Sequence, residues 1–427
     1  MANKKTKNNR KTRKNKKTRK NKRTRNNKRT RNNKRIIWSG GDNTNVLDAK
    51  IGNLCSDLNM CTVLCQYTDD INAFFEFTTF NNVDSVGPSL PYNLQNEQLI
   101  DIFYKKESIV NQTDPQFNTK ESITASLKTV ISNDENKLKE LCYEYYVGKY
   151  INTLINRFPC FIETYSLFFN KTLLVFPDKK NNVMQDNIKN GLKETTLFKE
   201  DDLLDFKSHI FYLLTQYNKN NNYLHLIGNA TIDNKRIHPK IHQIFDEDKE
   251  TLYILYQIYM PLICLKNSFI YNGLNLDGDN ILLYKLHDNN YIQYTYYINN
   301  KKIKFKSRYI VKIINYKNSY FNESEQNNSD IICDKIGIEK SKINKDYNNY
   351  INFFRLLRDK YNIVNKPKYI IDILDKLETT TIDNIYNTLE STITEQESSN
   401  DDTFKTFGYL EIYDNGSPMK FTPITNK

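Results

Sequence analysis

Apolar and polar residues fall along the chain in blocks that predict a strand-rich first half and a helix-rich second half. Cys61–Phe80 alternates enough for a strand followed by a short helix. Ser85–Pro91 (SVGPSLP) reads as a loop, and Gln98–Tyr104 as a strand. ITASLKTVI, from Ile123, predicts a strand that ends near Ser132–Asp134. A helix is expected next over Glu135–Leu154, where Leu138, Leu141, Cys142, Tyr145, Val147, Ile151 and Leu154 share broadly one side. Phe158–Phe169 and the following TLLVF read as two strands around a turn near Lys171. A helix over Leu203–Tyr217 and a short strand over Leu224–Gly228 complete this half.

The second half opens on a long helix, residues 247–268, apolar nearly all round and therefore expected to be buried. YNGLNLDGDN follows as a tight polar loop. Three strand-like runs come next, ILLYKL, YIQYTYYI and KIKFKSRYIVKIIN, split by HDNN and NNKK turns. Residues 322–345 read as loop, Tyr347–Tyr361 and Lys368–Leu377 as helices, and Glu390–Asp402 as a second polar stretch before the C-terminal TFGYLEIYDNGSPMKF. This order predicts an α+β fold of two lobes.

Charge changes the picture at one end. The chain has 427 residues, 62 Lys+Arg and 50 Asp+Glu, for a net +12. Residues 1–35 hold 19 Lys/Arg and no acid, which leaves 43 basic and 50 acidic groups, a net of −7, for the rest. The basic pI thus belongs to a tail, and a fold that is basic all over is excluded. The tail repeats KTRKNK-like hexads without an apolar residue, so residues 1–37 are expected to be disordered. Such an arm could contact nucleic acid, but only through phosphates and blind to sequence, because no aromatic is interleaved. Asn is about one residue in seven, alongside many Lys, Ile and Tyr and few Gly and Pro. We read this as coding bias from an AT-rich genome, which blunts Asn as a turn signal.

The seven Cys are scattered, and CxxxC at Cys61 and Cys65 has no matching Cys/His pair near it, so reduced thiols in an intracellular protein are expected rather than a zinc site. No apolar run is long enough to span a bilayer, and no secretory leader is expected, because the first residues lack an apolar core segment.

ASLKTV, LCYEYYVGKYINTLINRFPCFIETYSLFF, ILYQIYMPLICLKNSF, the loop at 271–284, KSRYIVKIINYKNSYF and GYLEIYDNGSPMKF occur in an order that resembles the protein kinase fold. The likeness covers roughly residues 60–420, and the group it most resembles is the kinase-like proteins of giant nucleocytoplasmic DNA viruses. The resemblance implies a bilobal α+β fold, with an N-lobe over 38–228 and a C-lobe over 229–427 behind the tail. It implies that Lys128 stands where a strand lysine holds the α- and β-phosphates of ATP, with Glu144 on the next helix as its ion-pair partner.

The chemistry-bearing positions depart from the family pattern. Anchored on Asn280, the HxDLHxDN-like loop places Gly273 at the His and Asn275 at the catalytic base. A register shifted by two puts Tyr271 at the His and Gly273 at the base. An amide cannot take a hydroxyl proton, which removes help typically of about 10²–10⁴-fold. Asp277 and Asp279 are the available substitutes, on a different backbone path. At the metal-binding strand end Asn315 stands at the Asp of DFG and Lys317 at the Gly, so Asn280 and Asn315 would offer a cation only neutral amides. The phosphate-covering loop has only Gly87, between two prolines' reach in SVGPSLP. Phe353 replaces an Asp that braces the catalytic loop in the family.

The resemblance and its departures together imply a pseudokinase, a kinase-shaped binding or scaffold module for a protein partner. ATP, with weak or no Mg²⁺ dependence, is the cofactor it implies. Two other readings stay open: a divergent active kinase, and a nucleic-acid-binding or virion structural protein that works through its tail, in host cytoplasm, nucleus or virion.

Overall fold

A computed structural model describes residues 62–65, 68–92, 97–109, 118–130, 134–176, 182–200, 202, 205–216, 223–225, 248–273, 280–286, 290–343, 345–363, 368–396 and 405–424. All of these fall in one unit within Thr44–Lys427. The basic tail, residues 1–37, lies outside the described residues, as do Cys55 and Cys61.

In chain order the elements are α1 (Thr68–Phe75), β1 (Val83–Tyr92), β2 (Glu97–Ile109), β3 (Asn118–Val130), α2 (Glu135–Asn152), β4 (Thr164–Asn170), α3 (Asn182–Lys193), β5 (Thr196–Leu197), β6 (Ile210–Gln216) and β7 (Tyr223–His225). There follow α4 (Asp248–Cys264), β8 (Phe269–Ile270), β9 (Ile281–Lys285), β10 (Asn290–Ile298), β11 (Lys301–Ser307), β12 (Tyr309–Ile313), β13 (Tyr320–Phe321) and α5 (Ser329–Ile336). The chain ends with α6 (Asn348–Ile363), α7 (Lys368–Glu378), α8 (Ile382–Gln396), β14 (Lys405–Tyr413) and β15 (Lys420–Pro423). The fold is mixed α+β.

The first half builds a six-stranded sheet of order β1-β2-β3-β6-β4-β5. Its centre is apolar on both faces: every residue of β6 is buried. The run IFYLLTQ therefore reads equally as a buried helix, and the expected helix over Leu203–Tyr217 is corrected to this strand, its backbone paired to β3 and β4 on its two sides. TLLVF is not a strand, because the free edge of β4 is taken by β5, where Leu197 stands opposite Phe168. The backbone N–H of Leu174 donates instead to the Tyr212 hydroxyl at 3.0 Å. Ser85–Pro91 is not a loop but part of β1. Its prolines fit because β1 is the sheet's edge and needs donors on one side only.

Helix α2 starts where Asp134 accepts the N–H of Asn136. It is buried on nearly every side, with Leu141 to Gly148 all buried, rather than on one stripe. Gly148 sits where a Cβ would meet Thr164 Cβ at 2.7 Å, so the helix lies against β4 at van der Waals limit.

The second half combines five helices with further sheets among the described residues. β12, β9 and β7 form one sheet, and β11-β10-β14-β15 another, with β14 parallel to β10. The third predicted run is two strands. Buried Glu250 of α4 breaks it at Ser307–Arg308 by accepting from the Ser307 hydroxyl at 2.8 Å and from the Arg308 N–H at 3.0 Å. One helix stands where a polar loop was expected, over residues 322–345, and another begins ahead of the second polar stretch and runs into it. α5 is capped by Asn328 and stopped by Gly337 at φ 70°, and α8 buries Ile385, Tyr386, Leu389 and Ile393 at helical spacing. Among the described residues no helix is long and apolar enough to cross a membrane.

The segment ahead of β1 is pinned by buried polar contacts. The Asn72 amide donates to Glu163 at 2.5 Å, the Gln216 amide donates to the Thr62 carbonyl, and Cys65 Sγ meets the Phe161 carbonyl at 3.3 Å. Lys312, fully buried, donates to that same carbonyl at 2.9 Å and to Cys65 Sγ at 3.3 Å. Burial pushes the Glu163 carboxyl up to about 7, against the Asn72 hydrogen bond that lowers it.

Two outcomes follow from this packing. Gly148→Ala should destabilise the fold by about 1–3 kcal/mol in urea unfolding, since neither the helix nor Thr164 can yield freely. Glu163 binds its proton more tightly folded than unfolded, so its contribution to stability is lost as pH rises from the ordinary carboxyl range to about 7. Glu163→Gln should therefore be more stable than wild type above pH 7 in thermal melts, with the gap closing toward acid. A gap that widens toward acid contradicts the burial argument.

Candidate functional site

Lys128 lies near the end of β3, opposite Leu99 of β2 and Leu213 of β6. Glu97, the first residue of β2, stands opposite Val130. Partners across a ladder share a face, as do residues two apart, so Glu97 and Lys128 project from the same face. Helix α2 packs along the sheet and delivers Glu144 to that side, 16 residues after the lysine. The Lys128 ammonium contacts Glu144 Oε2 at 2.7 Å and Glu97 Oε2 at 3.4 Å. All three residues are buried, at 6 % exposure or less.

The third wall comes from the segment after β12. Asn315 has φ 64°, a left-handed conformation that Asn tolerates better than most residues. That turn aims its side chain at the lysine: Lys128 Nζ donates to Asn315 Oδ1 at 3.5 Å. The Asn315 amide donates to Asn280 Oδ1 at 3.1 Å, and the Asn280 amide to the Gly273 carbonyl at 2.9 Å. Two residues on, Lys317 Nζ reaches the other oxygen of Glu97 at 3.2 Å. Four positions predicted from sequence, Lys128, Glu144, Asn280 and Asn315, are thus joined through hydrogen bonds and ion pairs, although they are spread over nearly 190 residues. Asn275, Asp277 and Asp279 lie outside the described residues. Gly87 belongs to β1, in contact with Asp101, where a Cβ would meet Asp101 Cβ at 2.9 Å.

Glu97 is the member that sequence reasoning missed. An isolated glutamate in QNEQLIDIF, just after a polar stretch, carries no local signal, and only the β2–β3 register places it. Burial raises its carboxyl pKa, but Lys128 and Lys317 outweigh burial and hold it below the ordinary range. The cluster holds two ammonium and two carboxylate groups and is neutral overall. Each cation is matched by an acid, as buried charges require.

Tyrosines brace the loop at residues 271–273. The Tyr271 N–H donates to the Tyr350 hydroxyl at 2.9 Å, and the Tyr271 hydroxyl donates to the Ile314 carbonyl at 2.5 Å. Asn272 donates to the Asn318 carbonyl at 2.6 Å and accepts from Asn349 at 3.2 Å. Phe353 is fully buried beside Tyr259, so packing occupies its position, and Tyr350, one turn earlier on α6, makes the hydrogen bond to the loop.

Among the described residues, the Asn280 and Asn315 side chains do not fit Mg²⁺. Both amide oxygens already accept N–H groups, and Lys317 adds positive charge beside them. Among the described residues no group of three or more His, Cys, Asp or Glu is placed to hold a metal ion. A polyphosphate would have to compete with Glu97 for both lysines. No known protein family matches the chain. No curated protein is significantly similar to it in sequence.

Glu97 should behave as a buried, doubly paired carboxylate. Its depressed pKa gives stability that is present above the ordinary carboxyl value of 4.5 and lost as pH falls through the folded value. Glu97→Gln should cost on the order of 2 kcal/mol at pH 7 in urea unfolding, because Lys317 and Lys128 each lose a carboxylate partner. The difference from wild type should shrink below pH 4.5, and a constant difference across pH would show that Glu97 is not charged in the fold.

Proposed function

We propose that the protein is a kinase-like binding module, a pseudokinase that recruits a protein partner and does not transfer phosphate. The observation that carries this reading is the neutral cluster around Lys128. A strand lysine paired to a helix glutamate is the arrangement kinases use to fix an ammonium beside the ATP phosphates. Here that pair, Lys128 and Glu144, is formed, and the side chains from the loop after α4 and from the end of β12 converge on it. The acids that phosphoryl transfer needs are replaced at these positions. Asn315 and Asn280 present amides, and Lys317 spends its charge on Glu97.

Both departures act in one direction. Removing carboxylates from the metal position lowers affinity for Mg²⁺, and placing Glu97 between the lysines lowers affinity for polyphosphate. A scaffold that keeps the pair and loses the metal donors supports a role in binding, with the lysine–glutamate pair retained as the tie between β3 and α2.

Titration of the full chain with a fluorescent ATP analogue, with and without Mg²⁺, tests the reading together with a phosphotransfer assay on a generic protein acceptor. Weak binding that Mg²⁺ does not strengthen, and no transfer, are expected. Glu97→Gln should raise analogue affinity, by roughly tenfold if one charge-assisted contact is freed. Robust Mg²⁺-dependent transfer that Lys128→Ala abolishes would make the protein an active, divergent kinase.

A further inference from the structure

The sheet β11-β10-β14-β15 has two unlike faces. Its inner face carries Ile303, Phe305, Tyr294, Tyr296, Leu410 and Ile412, all buried, against α4 and α8. Strand periodicity sends the alternate residues outward, and the pairing register places them in rows. One row is Lys302, Tyr297 and Tyr413. The next is Lys304, Thr295, Glu411 and Lys420. The third is Lys306, Gln293, Tyr409 and Thr422. Lysines therefore line both margins, on the edge strands β11 and β15, and tyrosines stand between them.

Among the described residues the lysines of this face stand without counter-ions: Lys302, Lys304, Lys306 and Lys420 are exposed, and none is ion-paired. Lys301, which neighbours them on the same strand, is paired with Glu390. The lone acid of the face, Glu411, accepts the hydroxyls of Tyr297 at 3.2 Å and Tyr413 at 3.1 Å. That contact holds the two rings stacked, with centroids 5.0 Å apart and planes at 7°. Lys302 lies over Tyr297 at 5.3 Å, and Lys306 over Tyr291 at 4.7 Å. Tyr409 is 42 % exposed and makes no ring contact among the described residues, so a face of its ring is open.

We propose that this outer sheet face binds single-stranded nucleic acid. Four unpaired cations against one acid make a local positive field on a region whose overall charge, apart from the tail, is negative. Lysines on the margins suit a phosphate backbone running along the strands. Open and ordered aromatic rings between them suit bases, whose faces are available only when unpaired, and stacking tolerates any base. An anionic membrane surface would satisfy the lysines and accept exposed tyrosines, but Glu411 at the centre of the face would oppose its charge. The face is separate from the Lys128 cluster, and the inference does not rest on the kinase-like reading. It also differs from contact through the basic tail, which would hold phosphates of single strands and duplexes alike.

Fluorescence anisotropy of the full chain with a labelled oligothymidylate of about 12 nucleotides, and with its duplex, separates the two modes. At about 0.2 M salt, where tail contacts weaken, the single strand should bind more tightly than the duplex. Tyr409→Ala, and separately the triple change Lys302→Ala, Lys304→Ala, Lys306→Ala, should each lower single-strand affinity roughly tenfold. Tyr409→Trp should keep it, and Tyr409→Ala should leave duplex binding unchanged. These positions are exposed, and circular dichroism verifies each variant's fold; Lys304→Glu replaces Tyr409→Ala if that variant unfolds. The inference is overturned if all variants bind the oligonucleotide as wild type does, or if single strand and duplex bind equally. It is also overturned if phosphatidylserine vesicles, and not the oligonucleotide, are bound through these residues.

Discussion

A lysine placed inside a protein must find partners there for its ammonium, and Lys128, which draws two carboxylates and an amide, sets that requirement for the first half of this fold. Leaving one such ammonium unpaired would cost several kcal/mol, more than any single apolar contact supplies. Glu144 answers from α2, Glu97 from the start of β2, and Asn315 from the turn after β12. The requirement therefore fixes three things at once: the rotation of α2 against the sheet, the register of β2 on β3, and the left-handed turn at Asn315. A slip of one residue between β2 and β3 would send Glu97 to the opposite face and strand both lysines. Apolar packing alone specifies these arrangements weakly, because α2 is buried on nearly every side and has no single stripe to orient it.

Tyrosine does for the second half what the ion pairs do for the first. Eleven tyrosines are the largest fully buried side chains, and a buried hydroxyl needs a partner. Tyr259 donates to the Tyr350 carbonyl at 2.6 Å, Tyr143 to the Ser319 carbonyl at 2.8 Å, and Tyr316 to the Ile313 carbonyl at 2.9 Å. These bonds end on the first turn of α6, on the loop at Ser319 and on the last residue of β12. With few glycines and prolines to shape its turns, the chain fixes irregular segments from the side, through rings that fill volume and hydroxyls that satisfy carbonyls. Tyr271 and Tyr350 hold the loop at 271–273 in the same way, with Phe353 packed where the family pattern has an acid.

The same physics decides what was legible in the sequence. Residues 248–264 and 135–152 are long and dense in apolar residues, and both were readable as helices. β3 and the hairpin strands after residue 280 were readable from alternation. β6 was not, because a strand buried on both faces has no alternation to display. β1 was hidden by its prolines, which only an edge position permits. α5 and α8 were hidden by Asn, Ser and Thr, although Asn328, Gly337 and the spacing of Ile385, Leu389 and Ile393 marked them. In the site, Lys128 and Glu144 were legible through their place in a strand and the next helix. Glu97 was not, since its role exists only in the pairing of β2 with β3.

The placement of charge separates the two candidate surfaces more sharply than their composition does. Around Lys128 each cation is buried or half-buried and matched by an acid within 3.4 Å, so the cluster's energy lies in staying closed. An anion entering there gains a contact only by breaking one. On the outer face of β11-β10-β14-β15 the cations are solvated and unmatched, and an anion arriving there displaces only water and counterions. Side-chain entropy argues the same way: Lys128 is already ordered, whereas the exposed lysines are free and their ordering is offset by several phosphates at once. A lysine's presence in the sequence therefore says little about what it binds. Whether the fold has already supplied its partner is what divides a structural tie from a binding surface.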